Sequence, residues 1–411
     1  MRYVGLVCAL VAVGAMAGCE ANRSKKTASP APVSGTFGDD LAFLKAHTDV
    51  LVLSSGPAQV AVVPAYQGRV MTSSADGAAG ASFGWINREL IASGETGPHM
   101  NAFGGEDRFW MGPEGGQFAI FFAKGKEFKF EDWQTPAVID TEPFDVTSKS
   151  ATEATFKKTT QLTNYSGTTF NLQIDRAVRL LDAKAMTAAL GVEVPASVKA
   201  VAYETDNKIT NTGTEAWKKE TGLLSIWILG MFIPSDATTI VIPFQAGADS
   251  ELGPKVNDAY FGKVPADRLI VKDDVLFFSG DGKYRSKIGL SPARAKSVAG
   301  SYDAAGKVLT LVQYTKPAGA TDYVNSMWEM QEAPYAGDVV NSYNDGPATP
   351  GAKPMGPFYE LETSSPAAAL KPGESLSHVH RTFHLQGAEA DLDKIAQALL
   401  GVSLEEIKTA L

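Results

Sequence analysis

The sequence predicts a mainly β protein, a large antiparallel sandwich with short helices at its C-terminus. Several apolar segments are short and alternate with polar residues, as strands with one buried face do. The 39 glycines and 22 prolines fall mostly between these segments, which is typical of many-stranded antiparallel proteins. A strand-helix-strand rhythm does not occur, so a parallel sheet is not predicted. About 370 residues after an N-terminal leader fit one large β-sandwich.

The N-terminus has the form of an export signal. Residues 1–18 combine a basic start with a short apolar run that ends in small residues. The stretch Met16–Cys19 resembles a bacterial lipobox, which implies a lipid-linked Cys19 at the mature N-terminus and a membrane anchor. An ordinary signal peptide cut near Ala17 is the alternative. Glu20, in place of aspartate, favours an outer-membrane lipoprotein.

The cysteine count bounds the chemistry of the mature protein. The two cysteines are Cys8, inside the signal, and Cys19. Disulfides, thiolate nucleophiles and Cys-ligated zinc are therefore excluded from the exported domain. Polar, proline-bearing residues 19–37 predict a flexible tether, followed by a β domain over residues 38–386 and a helical segment over residues 387–411.

The charge and the motif content exclude several classes of function. The net charge is -9 with dispersed Lys and Arg, so no nucleic-acid partner is predicted. A second apolar run long enough to span a bilayer is not found after the leader. Phosphate-binding loops, dinucleotide fingerprints and serine-nucleophile motifs do not occur, so no cofactor is predicted.

The clearest strands form a predicted hairpin. Apolar and polar residues alternate through residues 169–181, and turn chemistry at Asn164–Gly167 precedes them. Residues 152–163 and 169–181 should therefore pair. Further strands are predicted at residues 201–209, 222–232, 275–279, 308–314 and 358–363.

The C-terminus predicts two helices, at residues 391–400 and 403–411. Both have helical apolar spacing, and Ser403 with Glu406 has the form of a capping box. We expect these helices to pack on an edge or end of the sandwich.

Residues 101–122 contain the densest cluster of reactive side chains. The members of this cluster lie between two glycine pairs of the same stretch. The apolar residues 118–122 that end it predict a buried strand holding the loop in place. The loop contributes Glu106, Asp107, Arg108, Trp110 and Glu114. An aromatic face stacks on a pyranose, while Arg and carboxylates bind hydroxyls, so this composition indicates a carbohydrate site. An ion-paired turn that only shapes the rim of the sandwich is the alternative.

A pair of glutamates provides candidate catalytic groups. On the predicted strand 358–363, Glu360 and Glu362 share one face. Neighbouring carboxylates repel, which raises one pKa and prepares an acid and a base. Glu114 is the third catalytic candidate. The alternative for Glu360 and Glu362 is a solvated outer face.

Three histidines also share one face of a predicted strand. They are His378, His380 and His384. The outermost imidazoles would lie far apart and no carboxylate is interleaved, so no metal site is predicted, and half-buried strand histidines are the simpler interpretation. The remaining substrate-binding candidates are Trp85, Asn87, His99, Trp227 and Asn341.

Several motifs occur in an order that resembles the galactose-mutarotase-like β-supersandwich, and in particular a group of secreted bacterial lipoproteins. The likeness runs from about Asp40 to Gly387. The motifs are Gly68–Met71, Gly104–Trp110, Gly112–Gly116, Ile209–Gly213, Gly356–Glu362 and Lys371–Glu374. The resemblance implies a sugar-binding supersandwich.

Aldose 1-epimerases of that superfamily use a histidine acid and a glutamate base. Here Phe103 stands where those enzymes have a histidine before paired glycines, and Leu224–Ile228 contains no counterpart of a second one. Only Glu360 or Glu362 matches the late glutamate.

Three functions follow from these observations. The first is a lipid-anchored protein that binds or processes a carbohydrate, with Arg108 on hydroxyls or a uronate, Trp110 stacking, and Glu114 and Glu360 as acid-base groups. The second is a non-catalytic structural or accessory envelope lipoprotein. The third is a glycoside hydrolase or lyase.

Overall fold

A ten-stranded antiparallel sheet forms the base of the fold in the computed structural model, which describes residues 35–411. The predicted signal, Cys19 and the tether up to residue 34 lie outside the described residues. The strands are β1 (Leu51–Ser55), β2 (Ala58–Val63), β3 (Arg69–Ser74), β4 (Arg108–Gly112), β5 (Asp145–Lys149), β6 (Glu153–Thr163), β7 (Thr169–Leu180), β8 (Lys199–Asn211), β9 (Ser225–Phe232), β10 (Thr238–Pro243), β11 (Leu269–Val271), β12 (Val275–Ser279), β13 (Ser286–Leu290), β14 (Val298–Asp303), β15 (Val308–Tyr314), β16 (Val340–Asn344), β17 (Tyr359–Ser364) and β18 (Ser375–Gln386). The α-helices are α1 (Phe37–His47), α2 (Arg88–Ser93), α3 (Ala183–Leu190), α4 (Asp249–Leu252), α5 (Glu389–Leu400) and α6 (Leu404–Lys408).

The strands form three antiparallel sheets. The large sheet has the order β11-β12-β10-β14-β15-β18-β8-β7-β6-β5, a second has the order β13-β16-β17-β9-β4, and β1-β2-β3 form the third. The mainly β, antiparallel prediction is therefore confirmed, as are the hairpin of β6 with β7 and the turn between them.

The core lies between the facing sheets. Alternation buries Leu172 and Ile174 of β7 in one cluster with Phe109 of β4 and Ile228 of β9. A second cluster joins β10, β12 and β15 to β16 and β17. Each large apolar side chain buried here contributes roughly 1.5–3 kcal/mol, which is why a strand pattern of period two dominates the sequence.

The C-terminal helices do not pack on an edge of the sandwich as expected. Leu392 and Ile395 of α5 and Ile407 of α6 are buried against Phe277 and Leu311 on the outer face of the ten-stranded sheet. The predicted capping box is present, since the Ser403 hydroxyl accepts from Glu406 N and the Glu406 carboxylate accepts from Ser403 N. The helices therefore cover apolar strand residues that would otherwise face water.

Two local predictions are wrong. Residues 118–122 are largely buried but form turns and an isolated bridge, because Phe121 and Phe122 pack into an aromatic cluster rather than a sheet. The predicted tether extends too far, because Phe37 is fully buried and begins α1, which Thr36 caps.

None of the helices described in residues 35–411 is long and apolar enough to cross a membrane.

A polar network lies inside the sandwich. Arg176 of β7 and Asp107, directly before β4, form a fully buried ion pair of 2.6 Å. Arg176 also donates to the carbonyl of Gly68, and Asp107 accepts from the Thr205 hydroxyl at 2.9 Å. Buried charges need such partners because desolvation of an isolated ion is costly.

Two of the three predicted strand histidines border this network. His378 Nε2 and His380 Nδ1 each lie 2.9 Å from the Thr363 hydroxyl, and both rings are fully buried. Burial, with some repulsion from His380, lowers the pKa of His378 to about 3, and burial lowers the pKa of His380 to about 4. Among the described residues no group of three or more His, Cys, Asp or Glu side chains has a metal-binding arrangement.

These histidines predict acid sensitivity. Below about pH 6.5 the unfolded chain binds protons at both imidazoles, whereas the folded protein does not until about pH 4 to 3, so the free energy of unfolding falls as the pH falls. His378→Gln, which can keep the bond to Thr363, should reduce the loss between pH 7 and 4.5 by about 2 kcal/mol. Urea unfolding at pH 7 and at pH 4.5 measures the free energy of unfolding at each pH. The exposed His47→Gln variant is the control. An equal decrease in the free energy of unfolding for wild type and His378→Gln would contradict the prediction.

Candidate functional site

The face of the five-stranded sheet that points away from the ten-stranded sheet carries charged and aromatic residues. Register places Arg108 and Glu362 on either side of Leu229, and Trp110 opposite Trp227. Since side chains alternate between faces, these groups share one surface. The same surface includes Glu360, Asn341, Tyr343 and Lys287.

One half of this surface is a buried contact between Arg108 and Glu360. Arg108 Nη2 lies 3.0 Å from Glu360 Oε1, and both side chains are less than a tenth exposed. The guanidinium also stacks over the Trp110 ring at 4.3 Å. Burial raises the pKa of the Glu360 carboxyl to about 8, although Arg108 opposes the rise.

The other half is centred on Glu362. Its Oε2 accepts from Lys287 Nζ at 2.8 Å and from the Trp227 indole at 3.0 Å. Its Oε1 is buried and accepts no hydrogen bond from any residue in 35–411. A buried acceptor oxygen that is held in place but has no donor is available to a hydrogen-bond donor of a ligand.

A small cavity opens beside Glu362. Its volume of about 20 Å³ holds roughly one water molecule. The side chains that line it are mostly polar. They include Glu114, Trp227, Tyr260, Lys287, Asp338 and Asn341.

Glu114 contributes the second carboxyl group of the cavity. Burial raises its pKa to about 7, opposed first by Lys287. The indoles of Trp328 and Trp133 lie toward this carboxyl and also oppose the rise, although Trp133 Nε1 completes no hydrogen bond within residues 35–411. Glu114 thus lines the cavity, whereas Glu362 is hydrogen-bonded to two of its lining side chains, Lys287 and Trp227.

The far wall of the cavity is a hydrogen-bonded group that the sequence did not reveal. Tyr260 donates to Asp338 Oδ2 at 2.6 Å and accepts from Asn341 at 3.0 Å. Burial raises the pKa of Tyr260 well above its usual value of 10, so the phenol stays protonated and donates.

The segment 324–331 covers the cavity. Gln331 N donates to Gln117 Oε1, and Gln117 Nε2 donates to Gln331 O, which joins the segment to the turn after β4. Gly115 permits this contact, because a Cβ there would lie 2.3 Å from Met327 O. A ligand larger than water must therefore displace this cover.

The structure brings most predicted site residues together. Arg108, Trp110, Trp227, Glu360, Glu362 and Asn341 share the sheet face, and Glu114 lies over it.

Four other candidates lie elsewhere. Glu106 points into the sandwich and binds Ser73, Tyr203 and His384. Asn87 caps α2, Trp85 packs on Phe358, and His99 contacts Phe130. A loop outside regular strand geometry gives no parity from which these directions could be predicted.

Three residues of the cavity were missed by the sequence analysis. Lys287, Tyr260 and Asp338 come from separate segments without a shared motif. Alternation on β13 places Lys287 on a sheet face, but only the pairing of β13 with β16 identifies which face it is.

The fold and the site define a β-sandwich protein with a polar and aromatic cleft on one sheet. Residues 35–411 match the model of the family of unknown function DUF6786. The chain belongs to that family. No curated protein matches this chain significantly.

Solved structures of mutarotase-related proteins align with the chain. A putative aldose 1-epimerase from Escherichia coli K12 is 12% identical, with 83% of this chain and 99% of that chain covered and a TM-score of 0.47. A galactose mutarotase-like protein from Lactobacillus casei is 10% identical, with 82% and 100% covered and a TM-score of 0.48. A putative mutarotase from Salmonella typhimurium is 10% identical, with 83% and 91% covered and a TM-score of 0.47. These alignments give no information about activity.

Proposed function

We propose that the protein binds a carbohydrate at the cavity beside Glu362 and transfers protons at its anomeric centre. The observation that carries the proposal is a pair of carboxyl groups at the cavity, of which Glu114 lines it and Glu362 is hydrogen-bonded to two of its lining side chains. Glu114 has a pKa raised to about 7, and the Glu362 carboxylate is held by Lys287 while its Oε1 lacks a donor within residues 35–411. Two titratable groups in contrasting environments are the usual arrangement of an acid and a base.

The lining of the cavity supports a sugar ligand. The Trp227 ring offers an apolar face for a pyranose, and Tyr260, Asn341 and Lys287 offer polar groups for its hydroxyls. The cavity itself has room for about one water molecule, so binding requires the segment 324–331 to move. Displacement of a loop by substrate is common at sites that exclude water.

The proton transfers follow from the two carboxyl groups. Glu114, protonated below about pH 7, would donate to the ring oxygen of the sugar, while Glu362 Oε1 would accept the proton of the anomeric hydroxyl. The ring bond then opens to the aldehyde, and the reverse transfers close it on either face. This role for two carboxyl groups differs from the histidine-glutamate pair of aldose 1-epimerases.

A thermal-shift panel tests the proposal. Wild type should be stabilised by at least one mono-, oligo- or acidic saccharide, by about 2.7 kcal/mol at a hundredfold excess over the dissociation constant. Glu114→Gln should lose most of that shift, because the amide keeps the shape and removes the acidic proton. The exposed Glu89→Gln variant is the control. Silence across the panel would favour the non-catalytic structural function, and release of shorter sugars from an oligosaccharide would favour a hydrolase or lyase.

We also propose that the protein is an exported lipoprotein anchored through Cys19 at the outer membrane. The proposal rests on residues 1–19 of the sequence. Cys19→Ala should abolish incorporation of labelled fatty acid and release the protein from the membrane fraction. Cys8→Ala is the matched control. Unchanged labelling in Cys19→Ala would contradict the anchor and favour cleavage near Ala17.

A further inference from the structure

An aromatic shelf lies near Glu114, formed by the exposed Phe130 and the half-buried His99 and Trp328, which pack around the buried Trp133. The Phe130 ring is 56% exposed and lies 4.4 Å from the His99 ring and 6.0 Å from the Trp133 ring. Trp133 in turn contacts Trp328 at 5.8 Å. An exposed ring backed by further aromatic side chains offers a firm surface on which another ring can stack.

The shelf and the cavity are connected through Glu114, which lines the cavity. The rings between Trp133 and Trp227, which are those of Phe121 and Trp110, are buried in the core and hold the two regions in place. Glu114 lies where the two regions meet, because the Trp133 and Trp328 indoles point toward its carboxyl. A ligand held at Glu114 could therefore extend directly onto the shelf.

The chemistry of the shelf fits sugar rings better than a protein partner. The exposed Phe130 ring offers a flat aromatic face, which can stack on the apolar face of a pyranose. The half-buried imidazole of His99 lies beside it, with Nδ1 hydrogen-bonded to the Trp133 carbonyl, and brings a polar group to the same surface. A ring face beside a single polar group suits the apolar face and the hydroxyls of a sugar.

We propose that the aromatic shelf is a second sugar subsite, so that the ligand of this protein is a glycan of two or more residues rather than a free monosaccharide. The inference rests on the proposed function, since the first residue of the glycan occupies the cavity. The shelf then stacks the next residue outward, and specificity for chain length resides in Phe130 and His99.

A chain-length series tests the subsite. The chain with Cys19→Ser is titrated by calorimetry with sugars of one to four residues built from glucose, galactose or galacturonate. For the series that binds, the dissociation constant should fall about tenfold or more from one to three residues. Phe130→Ala should remove that gain, a loss of about 3- to 10-fold for the trisaccharide, and leave the monosaccharide unchanged.

Two matched variants separate the possible failures. Val146→Ala, an exposed apolar residue on β5, should leave the whole series unchanged. Glu114→Gln should weaken every member of the series, including the monosaccharide. Equal affinity for one and three residues, or a trisaccharide unaffected by Phe130→Ala, would overturn the shelf and leave the proposed function intact. If no sugar binds to the wild type, both are overturned.

Discussion

Replacing Arg176 with alanine should lower the free energy of unfolding by about 3–5 kcal/mol. The substitution leaves the fully buried Asp107 carboxylate without its 2.6 Å partner, and the carbonyl of Gly68 without its donor. An uncompensated charge inside the sandwich costs far more than the lost contact itself. Urea denaturation followed by tryptophan fluorescence measures the change.

The same strand supplies the control. Arg179 lies on the outer face of β7, is 40% exposed and pairs with Glu153 and Glu204. Because water screens these pairs, Arg179→Ala should cost less than about 1 kcal/mol. A similar loss for both variants would contradict the role assigned to burial.

Replacing Glu362 with glutamine should slow turnover of the sugar identified by the panel by about 10²- to 10⁴-fold. The amide keeps the volume of the side chain but cannot accept the anomeric proton. It also removes the charge that pairs with Lys287 at 2.8 Å. Exchange between the two anomers, followed by NMR, gives the rate. Glu360→Gln is the comparison, because the Glu360 carboxyl pairs with Arg108 and, unlike that of Glu362, makes no hydrogen bond in residues 35–411 to a side chain that lines the cavity.

The pH profile of the same reaction identifies the acid. Glu114 holds its proton below its pKa of about 7 and loses it above, so kcat/KM should decline as the pH rises through that value. Glu114→Gln should lower the rate and remove this alkaline limb. If the decline persists in Glu114→Gln, another group is the acid. If Glu362→Gln and Glu360→Gln have equal effects, the base has been misassigned.

The sequence predicts regular strands well because alternation has a physical cause. Strand β7 buries one face on the core, and its apolar residues follow that face. The same reasoning fails for residues 118–122, which were predicted as a strand. A continuous apolar run shows only that a segment is buried, not that it is a strand. The aromatic residues of this segment pack against Trp133 and Trp328, which no local pattern reveals.

The residues of the candidate site also fall into those that a local pattern reveals and those that it does not. Glu360 and Glu362 are found from strand parity, and Arg108, Trp110 and Glu114 from their density in one stretch. Lys287, Tyr260 and Asp338 could not be found, because tertiary pairing alone brings their three segments to one cavity. Glu106 was misplaced for the opposite reason, since a residue in a rich local cluster can still point into the interior.

Asp107 and Arg108 are neighbours with opposite directions. The Asp107 side chain points into the sandwich and pairs with Arg176, whereas the Arg108 side chain lies on the outer sheet surface and contacts Glu360. Sliding this segment by a single residue would move Arg108 into the place of Asp107, setting two arginines together inside the sandwich, and would put Phe109 opposite Glu360. Both ion contacts would be lost in one step. This part of the chain should accordingly tolerate the insertion or deletion of one residue even less than the substitution of one side chain.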